Sequence, residues 1–230
     1  MGVHAIVPTR DFDYDVKSSG LDKYGVTIHT QVNGKSIFQV IENFLYSQKW
    51  SDDDIIILMH DDIEVISNED IFEYTLEPLS NSDTGFVGVA GTQFLKKECV
   101  WWEGVGAIPS AITPLAGNVY HGNSIRDMQL THFGPGNMRQ VVVMDGIFLA
   151  AKVSTWKSIR TMKPKEFTGD WDFYDIYFTF QAYMKGLKNY VMPLTLRHES
   201  HGDTSSREGW HKNKAAFQVK YDKHLPLFIP

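Results

Sequence analysis

Apolar positions in this chain recur at two spacings, and each spacing predicts a different element. Apolar or β-prone runs bounded by turn residues read as strands. They fall at residues 4–7, 26–31, 55–59, 86–90, 141–151 and 190–196. The first is stopped by Pro8-Thr9-Arg10, the second by Asn33-Gly34, and the fifth is interrupted only by Asp145-Gly146. Apolar residues three and four apart read instead as helices. Ile37, Val40, Ile41, Phe44 and Leu45 follow Ser36, which is placed as an N-cap. Residues 71–79 predict a short helix, 172–185 a longer one ended by Gly186, and 207–223 a final one. Residues 11–25 are polar and read as a loop. Residues 100–139, rich in Gly, Pro and Asn around Trp101-Trp102, yield no assignment.

Strand, helix and strand alternate through the first half, and the strands are apolar on both faces. That pattern predicts an α/β fold: a mostly parallel central sheet flanked by helices. No repeat, low-complexity tract or linker interrupts it, so one domain is expected over residues 1–230. In an open sheet of this kind ligands bind beyond the carboxyl ends of the strands. The stretch "DIIILMHDDIEV" puts His60-Asp61-Asp62 at such an end.

Composition narrows the chemistry. With 22 Lys and Arg against 28 Asp and Glu, the net charge is −6, and no basic block is present to follow a phosphate backbone; no nucleic-acid partner is expected. A single cysteine, Cys99, excludes a disulfide framework and a Cys-based zinc site. The apolar runs are too short to span a bilayer, so no transmembrane segment is expected. No basic region followed by an apolar stretch opens the chain, and Ile6 stands where N-myristoylation expects Ser or Thr. A soluble, cytoplasmic protein is the expectation.

Several polar clusters invite a chemical role, each beside a plainer one. Asp61 and Asp62 suit a divalent cation carrying phosphates, or a polar turn with a capping Asp. His60 reads as a ligand or a structural histidine. Asp145, an acid inside an apolar run, must be hydrogen-bonded, paired or poised at an opening; a strand bulge at Gly146 is the alternative. In "FTGDWDFYDIYF", Asp170 and Asp172 could cap the helix, whereas Asp175 lies inside it and could act as a general base. His198 and His201 follow a strand, three residues apart, and either could donate a nitrogen to a metal. Trp101-Trp102 could stack on a sugar or base, or pack a core. Gly34-Lys35-Ser36 is no phosphate loop, because His29 stands where that motif requires glycine.

In their order, these pieces resemble a family-2-like glycosyltransferase of the GT-A fold, the nucleotide-diphospho-sugar transferase type. The nearest group is the bacterial and viral one whose metal motif, of the DXD kind, reads His-Asp-Asp. The resemblance is carried by "NGKSIFQVIENFL", "DIIILMHDDIEV", "GVAGT", "WW", "VVVMDGIFLAAK", "FYDIYF" and "HESHG", then by Trp210, Phe217 and Lys220-Tyr221. It implies transfer of a sugar from a nucleotide sugar, a UDP-sugar by preference, to a hydroxyl on a glycan, lipid-linked or protein acceptor, with inversion. Pro8, Thr9 and Arg10 would lie against the nucleotide, with Asp61 near the diphosphate or ribose and Trp102 alongside. Asp62 would bind Mn2+ or Mg2+, with His198, His60 or His201 completing the shell. Asp145 would approach the donor sugar or acceptor, and Asp175 would be the base. Where relatives often read Asp-Ile-Asp, Tyr177 replaces the second acid.

Two alternatives remain. A metal-dependent nucleotidyltransferase would need a Gly-rich basic loop after the first strand, and Pro8-Thr9-Arg10 is a poor one. A non-catalytic nucleotide- or glycan-binding module on the same scaffold is favoured by Tyr177 but opposed by the retained acids and His198.

Overall fold

The computed structural model describes residues 1–103, 113–124, 126–200 and 207–229. In chain order the first elements are β1 (Val3–Thr9), β2 (Thr27–Val32), α1 (Ile37–Tyr46), β3 (Ile55–Met59) and β4 (Ile63–Val65). α2 (Glu69–Leu76), β5 (Thr84–Gly88), β6 (Ala90–Thr92) and β7 (Phe94–Leu95) follow. The unassigned middle contains β8 (Leu115–His121), β9 (Gln129–His132) and the start of β10 (Arg139–Val141). Then come β11 (Val143–Met144), β12 (Phe148–Lys152), α3 (Val153–Ser158) and α4 (Tyr174–Met184). β13 (Lys188–Val191), β14 (Leu196–His198), α5 (Glu208–Tyr221) and β15 (Leu227–Phe228) complete the order.

Seven strands form the central sheet in the order β10-β13-β5-β12-β3-β1-β2. β2, β1, β3, β5 and β13 point one way, while β12 and β10 run against them. The sheet is therefore mostly parallel, as the apolar runs require. β3 is buried at all five positions because strands cover both its edges and side chains cover both its faces. A second sheet, β11-β6-β8-β14-β4 with β9 beside β8, stands next to the first, and β15 pairs with β7.

α1 packs its apolar stripe inward, and Ser36 caps it by accepting from the Gln39 N–H at 3.2 Å. α4 is buried nearly all round. Phe38 of α1 meets Tyr177 and Phe178 of α4, and Phe217 of α5 meets Phe180 of α4 at 4.9 Å. Among the described residues no helix is long and apolar enough to cross a membrane.

Some sequence expectations are corrected. The run at 141–151 is three strands: the chain leaves the central sheet after β10, joins the second as β11, and turns back at Asp145-Gly146 into β12. Both sheets are buried there, so the apolar run continues through the change of sheet. The corner is a turn and no bulge within one strand. The run at 190–196 is likewise divided, since β13 ends at Val191 before Pro193 and β14 belongs to the second sheet. Neither Asp170 nor Asp172 caps α4; the cap position is Phe173, at φ 65°, with no side-chain cap. The polar 11–25 segment is anchored by two 3-10 turns, with Lys23 Nζ donating to Val65 O at 3.1 Å and Tyr24 stacked on Phe72.

Candidate functional site

β3 carries its chain to the rim of the sheet, and the His60 N–H donates to Ile147 O at 3.3 Å, one step past the β3/β12 pairing. Asp61 and Asp62 then turn into β4. β4 pairs with β14 so that Ile63 faces His198, which sets His198 beside Asp62 although the two are far apart in the chain. His198 Nε2 lies 3.2 Å from Asp62 Oδ2, and His60 Nδ1 lies 3.9 Å from Asp62 Oδ1. One donor atom from each of the three falls within 4.8 Å of the others, a possible metal-holding group. Burial alone would raise the Asp62 carboxyl, but the hydrogen bond from His198 and the nearby imidazoles outweigh it and hold the group well below the usual range.

The group borders a cleft of about 750 Å3. His60, Asp61 and His198 line it, as do Pro8, Thr9 and Arg10 from the end of β1. Asp145 and Asp175 form another part of the wall, and Trp102 is there as well. Asp62 meets the cleft through His60 and His198. His201 lies outside the described residues.

Asp145-Gly146 is the hub of the acid side. The Asp145 N–H donates to Ala90 O at 2.9 Å, and Asp145 Oδ1 accepts from the Ile147 N–H at 3.0 Å. The Gly146 N–H donates to Asp175 Oδ2 at 3.2 Å, while Gly146 O accepts from the Tyr174 hydroxyl at 3.2 Å. A Cβ on Gly146 would overlap the Tyr174 phenol, so only glycine admits this approach. Tyr174 Oη in turn lies 2.8 Å from His60 Nε2. Withdrawal from water, reinforced by the Asp145 charge, pushes the Asp175 carboxyl up to about 7.

Other expected residues fall on both sides of their alternatives. Trp101 is 2% exposed and packed on Phe133, core at the back of the cleft that it also lines; Trp102 is half-buried against Trp210 with ring centroids 5.4 Å apart. Tyr177 is 1% exposed, inside the aromatic core with Phe38 and Phe167, so it takes no place in the cleft. Asp172 is buried, its carboxyl raised by that burial and held by Arg207 at 2.8 Å.

Tyr174, Arg207 and His121 line the cleft without having been singled out. Tyr174 precedes Asp175 directly, and that adjacency was the available signal. Its contact with His60 spans 114 positions, which no local pattern encodes. His121 packs its ring 5.3 Å from that of His198 because β8 and β14 run side by side.

Over residues 23–223 the sequence matches the profile described as "Glycosyltransferase like family". No curated protein sequence matches it significantly. Among solved structures, A197 from STIV is similar at a TM-score of 0.50 and 12% identity, over 87% of this chain and 86% of that one. GalNAc-T7, solved with UDP, GalNAc and Mn2+, is similar at a TM-score of 0.53 and 11% identity over 91% of this chain; the match spans only 45% of GalNAc-T7. The Francisella tularensis 2-C-methyl-D-erythritol 4-phosphate cytidylyltransferase reaches a TM-score of 0.37 at 11% identity, over 95% of this chain and all of that one, too low a score to carry an argument. At these identities the likeness is one of fold, and the fold is of the GT-A type.

Proposed function

The chain belongs to the glycosyltransferase-like family, and on that premise we propose that it moves a sugar from a UDP-sugar to a hydroxyl acceptor, with inversion and with a divalent cation. The observation that carries this reading is the meeting of His60, Asp62 and His198 with Asp145 and Asp175 around one cleft. Its volume lies within the roughly 300–1,000 Å3 usual for small-molecule sites. GalNAc-T7, of similar fold, was solved with UDP and Mn2+, which supports the choice of donor and ion.

The donor set suits the ion. Two imidazoles and one carboxylate favour Mn2+ over Mg2+, which prefers oxygen ligands. His198 Nε2 is 3.2 Å from Asp62 Oδ2 and His60 Nδ1 is 3.9 Å from Asp62 Oδ1, separations that approach the ~3 Å expected between donors around one first-row cation. When bound, the cation offsets charge on the departing diphosphate as a Lewis acid.

The remaining steps belong to the chain's own residues. Pro8, Thr9 and Arg10 hold the nucleotide, with Asp61 and Trp102 beside it. Asp175, poised near neutrality, takes the acceptor hydroxyl's proton as that oxygen bonds to the anomeric carbon. The bond from that carbon to the diphosphate breaks on the opposite face, and UDP leaves. Asp145 helps hold the reacting sugar and, through its charge, keeps Asp175 basic. Tyr177 is buried away from these acids, which supports the catalytic reading over a non-catalytic module.

Thermal unfolding tests the proposal. A ligand that binds only the folded state raises stability with its concentration over its Kd. UDP and Mn2+ together should raise Tm by more than the sum of their separate effects, and Asp62→Ala should abolish that excess while the apo protein stays folded. Equal shifts in the two proteins would sink the metal assignment.

A further inference from the structure

We infer that Tyr174 is a positioning residue: it fixes the tautomer of His60 and so keeps His60 Nδ1 free to bind the cation. The inference rests on the cation site proposed above.

Proton counting on four atoms leads to it. The Tyr174 hydroxyl has one proton and two neighbours, Gly146 O at 3.2 Å and His60 Nε2 at 2.8 Å. Gly146 O is a carbonyl and can only accept. Both contacts are satisfied only if the tyrosine donates to Gly146 O and accepts from an Nε2–H of His60. A neutral imidazole protonated at Nε2 carries its lone pair on Nδ1. Nδ1 is the nitrogen that faces Asp62, at 3.9 Å, too long for a hydrogen bond and suited to a shared cation.

The opposite tautomer fails on the same atoms. With the proton on Nδ1, Tyr174 must donate to Nε2, which leaves Gly146 O without the tyrosine proton at a site where Tyr174 is only 6% exposed. At neutral pH a tyrosine hydroxyl carries its proton, its ordinary pKa being about 10. Gly146 completes the device, since any side chain there would displace the phenol. Tyr174 and Asp175 thus grip the two ends of one residue, the C=O and the N–H of Gly146, and the acid wall is tied to the cation site through it.

Three measurements test this. In the wild-type apo protein, 15N shifts of the His60 ring at about pH 8, above the ordinary histidine range, should report the Nε2–H tautomer; an Nδ1–H ring would overturn the inference. Mn2+ affinity, read from the EPR signal of free Mn2+ without nucleotide, should fall about 10- to 100-fold in Tyr174→Phe, as for loss of a group that orients a metal-binding histidine. In a His60→Ala background the same change should have no further effect, whereas a merely structural tyrosine would weaken both backgrounds alike. Wild-type Mn2+ affinity in Asp62→Ala would sink the cation site and this inference with it. Loss in Asp62→Ala with none in Tyr174→Phe would sink the inference alone.

Discussion

Asp175 holds its proton more tightly than an ordinary aspartate, and this has opposite consequences for activity and stability. As a base it must be ionised, so kcat/KM should rise with pH and level off above about 7. Asp145→Asn removes the charge that helps raise Asp175, and the inflection should move to lower pH; an unmoved inflection would separate the two acids. Asp175→Asn should lower turnover about 10²–10⁴-fold with UDP affinity unchanged. Unchanged turnover would pass the role to Asp145 or Asp172. For stability the sign reverses. Between the ordinary value of 3.8 and about 7, the folded chain keeps a proton that the unfolded chain has lost. Stability therefore falls as pH rises through that window and is flat above it. At about pH 8 the apo Asp175→Asn protein should melt no lower than wild type, and its advantage should vanish below the ordinary carboxylate value. A lower Tm at high pH would mean that the carboxylate is a structural partner.

The entry to α4 depends on a residue of α5. Asn213 is fully buried; its Oδ1 accepts from the N–H groups of Thr168 and Gly169 at 2.8 and 3.0 Å. Its Nδ2 donates to the carbonyls of Gly169 and Asp172, both at 2.9 Å. All the amide's capacity on these atoms is used, so the irregular segment before α4 has partners for its backbone. Asn213→Ala should destabilise the fold by about 2–4 kcal/mol, since buried groups lose their partners. Because that segment carries Trp171 and Asp172 of the cleft wall, UDP affinity should weaken too. A stability loss with affinity intact would restrict Asn213 to the scaffold. The period of α5 places it on a helix, but nothing local to Asn213 announces four bonds to residues over forty positions away.

Across the whole molecule, the cleft lies at the seam between two sheets, with the aromatic core of α3 and α4 behind it. Trp156 of α3 is fully buried, edge-on to Phe86 at 4.8 Å and to Phe178 at 5.7 Å, and its Nε1–H donates to Ile56 O at 3.1 Å. It does not line the cleft. Trp156→Ala should remove about 3–5 kcal/mol of stability. In the fraction still folded at low temperature, affinity for Mn2+ and UDP should stay within about twofold, since distant sites act independently. A larger loss of affinity, measured by calorimetry on folded protein, would show that core and cleft share one packing arrangement.

The sequence by itself determined the strands that are apolar throughout, the capped start of α1 and the acids at the end of β3. Each of these is written in a few adjacent residues, because burial on both faces, a cap and a strand end are local patterns. It also brought Asp145, Asp175 and His198 forward, since acids and imidazoles amid apolar residues need a partner or an opening. Only the tertiary structure decided how they meet. The pairing of β4 with β14 puts His198 on Asp62, and the change of sheet at Asp145-Gly146 delivers Gly146 to both Tyr174 and Asp175. Hydrophobic periodicity records that a residue is buried. It does not record which sheet buries it, or which distant side chain it will touch.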